Sequence, residues 1–263
     1  MRRLIPRRLA PGEEAPLVDH LGELRTRLLW CLVAVGGAFI VTFTFNNKII
    51  AWLNRPLDPG LKPTTFAVAE PFITTFMIAF WAAVAIAMPI ILWQLWSFFA
   101  PAIHEHTQRM VLGFVAFASA LFLGGLFFAY FVALPASIQF LTNFNSDEFD
   151  IQLRARDYYT FVLWVLIALS VVFELPIFIL ALARLGILPS SKLRRNRRIG
   201  YVAVTALAVA MPGVDPVTLL FTMTPLLILF ELSIWMAVFF DRRWQRAAAA
   251  REAAFEAGAD TDA

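Results

Sequence analysis

The sequence predicts an all-α polytopic membrane protein of six transmembrane helices, and three observations carry that reading. Of 263 residues, 60% are hydrophobic and 16% charged, with 26 Phe and 8 Trp; soluble domains run near 45–50% apolar and about 25% charged. The apolar residues come in runs of about 20, which suits helices crossing a bilayer rather than the shorter strands of a barrel. The basic residues gather on one side of those runs, as they do in multi-pass proteins.

Residues 1–16 form a basic, then acidic, tail expected to be mobile and cytoplasmic. Arg2 to Arg8 could pass for the start of a cleavable leader, but no short apolar stretch and cleavage site follow, so none is expected. A six-helix membrane domain then covers 17–243. In its first stretch Leu17, Leu21, Leu24 and Leu28 recur at helical spacing, while Asp19, His20, Glu23 and Arg27 lie off that stripe. The helix continues unbroken into span 1, residues 28–45, and Glu23 and Arg27 form an i,i+4 pair on it.

Residues 46–71 carry Pro56, Pro59, Gly60 and Pro63 and predict a structured loop, with a short helix over 48–53. Span 2 follows at 72–99 with Pro89 inside it, then a turn at 100–109 and span 3 at 110–134. A second loop, 135–157, holds Asp147, Glu148 and Asp150. Span 4, 158–185, contains Glu174 and Pro176 and ends before a strongly basic hinge at 189–198. Span 5, 199–211, has 13 residues; at about 1.5 Å per residue it reaches roughly 20 Å, short of a core of roughly 30 Å. Span 6, 217–240, is interrupted by Pro225 and Glu231, and the Ala-rich segment 244–263 is a cytoplasmic tail with helical character.

With six spans, the side holding both termini carries 17 of the 22 basic residues. That bias orients both termini to the cytoplasm.

Several charged residues need a reason. Glu174 lies mid-way through span 4, where a carboxylate costs about 2.5–3.5 kcal/mol even on the lenient insertion scale. Pro176 would kink the helix beside it and open a polar pocket. A hydrogen-bonded structural acid and a functional one both remain open there. Glu231 sits in the cytoplasmic half of span 6, in a hydrogen-bonded or snorkelling role. Asp215, between Gly213 and Pro216, is placed to cap the start of helix 6.

Glu105 stands between His104 and His106, a spacing that differs from the i,i+3 or i,i+4 of helical metal pairs, so no metal is expected. One cysteine, Cys31, excludes a disulfide within the chain. No phosphate-cradling glycine loop and no buried Ser–His pair is present, so the chain reads as neither an enzyme nor a cofactor or nucleic-acid binder. A proton-coupled secondary transporter of a small solute, with Glu174 as the coupling carboxylate, is the alternative function. It would need a mid-depth polar site between related halves, and here such residues are few and the halves unlike.

A set of ordered motifs decides further. They are His20-Leu-Gly-Glu-Leu-Arg-Thr-Arg-Leu28, Glu70-Pro-Phe72, Trp93-Gln-Leu-Trp-Ser-Phe-Phe-Ala-Pro101, Phe128-Ala-Tyr-Phe131, Phe173-Glu-Leu-Pro176, and Pro212-Gly-Val-Asp-Pro216 followed by Phe230-Glu-Leu232. In this order and spacing the chain resembles the TatC family of twin-arginine translocase proteins from Leu17 to about Arg243. The resemblance implies a concave, glove-like bundle with short helices 5 and 6, in a bacterial cytoplasmic (inner) membrane. It implies a receptor for signal peptides with consecutive arginines, in a pathway that exports folded proteins on the proton-motive force.

Two cytoplasmic carboxylates receive those arginines in the family, and the first maps onto Glu23. Where the second stands, this chain has Thr107; Glu105, two residues earlier, is expected to replace it, with Thr107 as a neutral contact. Arg25, Gln94 and Phe98, within the same motifs, complete the expected signal-peptide surface. The resemblance also places the single-span partner proteins TatA and TatB near helix 5 and Asp215, with Thr218, Thr222, Glu174 and Glu231 as intramembrane or partner contacts. Membrane lipid and further copies of the chain are expected neighbours.

Overall fold

The computed structural model describes residues 17–58, 60–99, 108–149, 151–184, 187–210 and 215–259. Ten α-helices and one π-helical turn occur among them, with an isolated bridge between Thr64 and Arg154 and no strand. Five helical segments are long and apolar enough to cross a membrane: Gly22–Thr44, Glu70–Phe98, Leu112–Asn143, Ala155–Arg184 and Pro216–Asp241. The expected fifth span is the helix Arg197–Ala210, whose 14 residues reach only about 21 Å.

The chain divides into two compact units, the first holding residues up to Ser119 together with Leu153–Tyr159. Its long helices are α1 (Leu17–Thr44) and α3 (Glu70–Phe99), which pack on one another. Thr42 is 2% exposed and its hydroxyl donates to the carbonyl of Ala79 at 2.7 Å, satisfying a polar group inside an apolar contact. Phe39 and Phe76 meet beside it with ring centroids 5.0 Å apart. The remaining surface of α1 is outward-facing: Leu28, Trp30, Leu32 and Ile40 are all at least 60% exposed, as lipid-facing residues are. Between α1 and α3 runs the short α2 (Asn46–Leu53), two residues longer at its start than the sequence predicts.

The loop between α2 and α3 is fastened by one carboxylate. Glu70, 4% exposed, accepts from the amides of Phe66 and Ala67 through Oε2 and from Arg154 Nε (2.9 Å) and the Arg156 amide through Oε1. An acid in the first turn of α3 also complements the positive end of that helix. The hydrogen bond from Arg154 raises that guanidinium above its ordinary pKa, as does the Coulomb attraction between them, so it stays charged. Thr64 and Arg154 pair through their backbones, and the Tyr158 hydroxyl donates to the Leu53 carbonyl at 2.7 Å. Glu70→Gln keeps the shape but replaces an acceptor oxygen with a donor facing donors. The expected result is amide exchange in residues 60–69 and 151–156 that is faster on the order of tenfold, with α3 itself unchanged. Hydrogen–deuterium exchange by mass spectrometry measures it.

The second unit holds Ala120–Gln152 and Thr160–Ala263. It begins within α4 (Gln108–Phe128), which passes through the π-helical turn Ala129–Ala133 into α5 (Leu134–Asn143). Helix therefore continues nine residues beyond the predicted end of span 3 at 134, and Pro135 does not stop it. A proline cannot donate to the carbonyl four residues earlier. The turn before it shifts the bonding to i,i+5, with the Leu134 amide donating to Ala129, which accommodates the missing donor.

Span 4 is interrupted as predicted. Helix α6 (Ala155–Val172) gives way at Phe173 and Glu174 to α7 (Leu175–Arg184), where Pro176 leaves the carbonyl of Val172 without its helical donor. The basic α8 (Ser190–Arg195) and the short α9 (Arg197–Ala210) follow, and α10 (Pro216–Ala259) closes the unit. At 44 residues α10 corrects the expectation of a short helix 6: an Ala-rich sequence after Asp241 propagates the helix beyond its span. Around α10 lies a core of Val172, Val204, Ala208, Leu226, Phe230, Ile234 and Ala237. Gly200 lets α9 come close to α10, since a Cβ there would stand under 3.0 Å from three ring carbons of Phe230.

Candidate functional site

The first unit positions Glu23 on α1, one residue past the start of the membrane-spanning segment Gly22–Thr44. Arg27, one turn further along, donates to Glu23 Oε1 from both Nε (3.1 Å) and Nη2 (2.5 Å). Its Nη2 also donates to the carbonyl of Ser97 at 3.1 Å, and Nη1 points at both oxygens of Gln94, 3.4 Å from Oε1 and 3.5 Å from the backbone oxygen. Glu23 is thus an acid holding a guanidinium whose other donors are met by the end of α3. The side chains of Arg27 and Glu23 are 22% and 28% exposed, so solvent screens the pair only in part. Among the expected binding residues, Gln94 and Phe98 are half-buried near the end of α3, and Arg25 is exposed on α1. Glu105 and Thr107 lie outside the described residues.

In the sequence Arg27 is recognisable only as a helix pair with Glu23. Its cross-helix bonds to Gln94 and Ser97 have no signature at a separation of about 70 residues. Glu70 is visible there only as part of a motif, and Arg154 not at all.

The second unit sets the intramembrane acids. Glu174 stands at the α6–α7 break, 1% exposed, and neither carboxylate oxygen has a hydrogen-bond partner among the described residues. Close packing surrounds this break: a Cβ on Gly125 of α4 would lie 2.8 Å from Phe173 Cγ and from the Ser170 backbone. A carboxylate without a partner at this depth is the costly arrangement that calls for a functional reason.

Asp215 caps α10, accepting from the Thr218 amide at 2.7 Å through Oδ1, with Pro216 at the first helical position. Thr218 and Thr222 are 2% and 4% exposed. They lie on the face of α10 that also carries the buried Leu226 and Leu229. Glu231 accepts from the Tyr201 hydroxyl and lies 3.6 Å from Arg197 Nη1, so α9 holds it.

Residues 19–225 match the family described as Sec-independent protein translocase protein (TatC). A Sec-independent protein translocase protein TatC of Escherichia coli K12 is 35% identical over 233 residues, covering 86% of this chain and 89% of its own. Those of Magnetococcus marinus and Deinococcus radiodurans are 32% and 34% identical, covering 93% and 88% of this chain and 90% and 89% of theirs. Among solved structures, a crystal structure of the twin-arginine translocase receptor TatC in the detergent DDM superposes with a TM-score of 0.74 at 29% identity. It matches 83% of this chain and 99% of its own.

Proposed function

The chain belongs to the TatC family of Sec-independent protein translocases, and from that premise we propose that it is the receptor that binds consecutive arginines of a signal peptide through Glu23. As a member of that family with several membrane-spanning helices, it is a multi-pass membrane protein of protein transport. The observation that carries the receptor reading is the Glu23–Arg27 arrangement. The carboxylate of Glu23 already holds a planar guanidinium, with a half-buried floor of Gln94 and the Ser97 carbonyl behind it. A signal-peptide arginine would bind by exchange, taking the bonds that Arg27 now makes. Guanidinium presents several donors in one plane, whereas a lysine ammonium offers a point charge, so arginine is the better fit.

In this reading both termini and the Glu23 end of α1 face the cytoplasm of a bacterial inner membrane, which the basic bias of the sequence supports. Glu105 supplies the second carboxylate and Thr107 a neutral contact, and Arg25 and Phe98 belong to the same signal-peptide surface. TatA and TatB dock at the short α9, where a helix of 14 residues mismatches the bilayer and a partner of matching length relieves it. Asp215, Glu174 and Glu231 serve as contacts of the assembled, self-associated complex, which exports folded cargo on the proton-motive force.

The test is retention of the purified protein by an immobilised peptide carrying Arg-Arg, against the same peptide with Lys-Lys. Selective retention by Arg-Arg is expected, and equal retention by both overturns the receptor reading. Glu105→Gln is expected to weaken the Arg-Arg peptide about tenfold, the lower end of what losing a hydrogen bond to a charged group costs. An unchanged dissociation constant removes Glu105 from the site and leaves Glu23 as the principal carboxylate.

A further inference from the structure

A groove at the basic end of α10 carries chemistry that signal-peptide recognition does not use. It encloses about 320 Å³ and is lined by Arg194, Arg197, Ile234, Trp235, Val238 and Phe239. The arginines come from either side of the turn at Asn196, where α8 ends and α9 begins. The apolar wall is built by α10, on which 234 and 238, and 235 and 239, are i,i+4 neighbours. Ile234 is buried at 1%, but Trp235 and Phe239 are 67% and 57% exposed.

The position of this groove along the span selects its occupant. The membrane-spanning part of α10 ends at Asp241, so Phe239 lies at its polar end and Trp235 about 6 Å further in. Tryptophan favours that depth, where headgroups meet hydrocarbon. Arg194 and Arg197 line the same groove as this apolar surface, near the end of the span, where lipid phosphates would lie. Exposed Lys192, Arg195 and Arg198, adjacent in sequence, add to the positive potential. Two acids face the same region: Glu231, 3.6 Å from Arg197, and Asp241, which accepts from the Ser190 hydroxyl. Arg197 is therefore partly neutralised, while Arg194 has no acidic partner among the described residues.

We propose that this groove binds one anionic phospholipid, its phosphodiester on Arg194 and Arg197 and an acyl chain along Trp235 and Phe239. Guanidinium offers a phosphate two parallel N–H···O bonds. A zwitterionic lipid brings a cationic group that the surrounding basic residues repel, so the site discriminates by headgroup charge.

Native mass spectrometry of the delipidated protein, offered phosphatidylglycerol and phosphatidylcholine in equal amounts, reads this directly. Phosphatidylglycerol is expected to be retained preferentially, with Arg194→Gln lowering that preference about fivefold and Arg194→Gln/Arg197→Gln abolishing it. Equal retention of the two lipids, or a preference that survives the double variant, overturns the site. Arg55→Gln/Lys62→Gln, in the loop of the other unit, should leave the preference unchanged; an equal drop would mean general charge attraction and overturn it too. Glycerol 3-phosphate at millimolar concentration should not displace the lipid, and displacement would assign the groove to a free phosphate ester instead. Because Arg197 also contacts Glu231, the double variant is read beside its melting temperature. The single Arg194→Gln, which breaks no ion pair among the described residues, decides the outcome if the double variant unfolds.

Discussion

Glu23→Gln is expected to weaken binding of a twin-arginine peptide roughly 10- to 100-fold, because hydrogen bonds to charged groups are worth about 1.5–3 kcal/mol. The substitution preserves the size of the side chain, so the change reports on charge and acceptor capacity rather than on packing. Its counterpart runs the other way. Arg27 is the internal guanidinium that occupies Glu23 Oε1, and an incoming arginine has to displace it. Arg27→Gln should therefore tighten the same peptide about two- to fivefold, the scale of a partly exposed ion pair. Isothermal titration of purified protein with the peptide measures both. Weaker binding in Arg27→Gln would show that Arg27 orients Glu23 instead of competing for it.

The second large effect concerns stability. Gly200→Ala places a methyl group under 3.0 Å from three ring carbons of Phe230. Alanine is the better helix former by about 1 kcal/mol, so in open space it would stabilise α9. Here the ring has little room to yield: Phe230 is 5% exposed and meets Tyr201 edge-on with centroids 5.5 Å apart. Overpacking costs about 1–3 kcal/mol, and the expected net result is a melting temperature lowered by several degrees in detergent, roughly 2–4 °C per kcal/mol for a chain of this size. Phe230→Leu should restore most of the loss in the double variant, as sites in contact are non-additive. A Gly200→Ala protein as stable as the original would mean that α9 and α10 are not in register as described.

Much of this fold was legible because lipid imposes its own pattern. Apolar runs marked out spans 1, 2, 4 and 6, and the 13-residue run in 199–211 announced a helix too short to cross alone. Pro176 marked the break in span 4, and Asp215 the cap of α10. The π-helical turn was not legible, since Ala129–Ala133 carries no residue that prefers it and only the later Pro135 hints at altered bonding. The burial of Thr218 and Thr222 depends on which way α10 is turned, and a helix apolar on most sides has too weak an amphipathic signal to show that. Glu70 looked like part of an opening motif; its role comes from Arg154 and Arg156, which lie more than 80 residues away. At the site, motif matching located Glu23 but could not show that Arg27 already fills it. Family membership also removes the case for a small-solute transporter, which had rested on Glu174 alone.

The continuity of α10 has a mechanical consequence. From Asp241, where the membrane-spanning part ends, the helix runs on to Ala259. Those roughly 18 residues make a stiff rod of about 27 Å, whereas a flexible chain of that length would spread over a wide range of end-to-end distances. A rod rigidly joined to a span acts as a lever arm: a tilt of about 10° at the membrane end moves its far end by about 5 Å, by simple geometry on a helix of that rise. Tilting of α10 during transport would therefore be registered at Ala259 as a displacement large enough for a distance probe to follow.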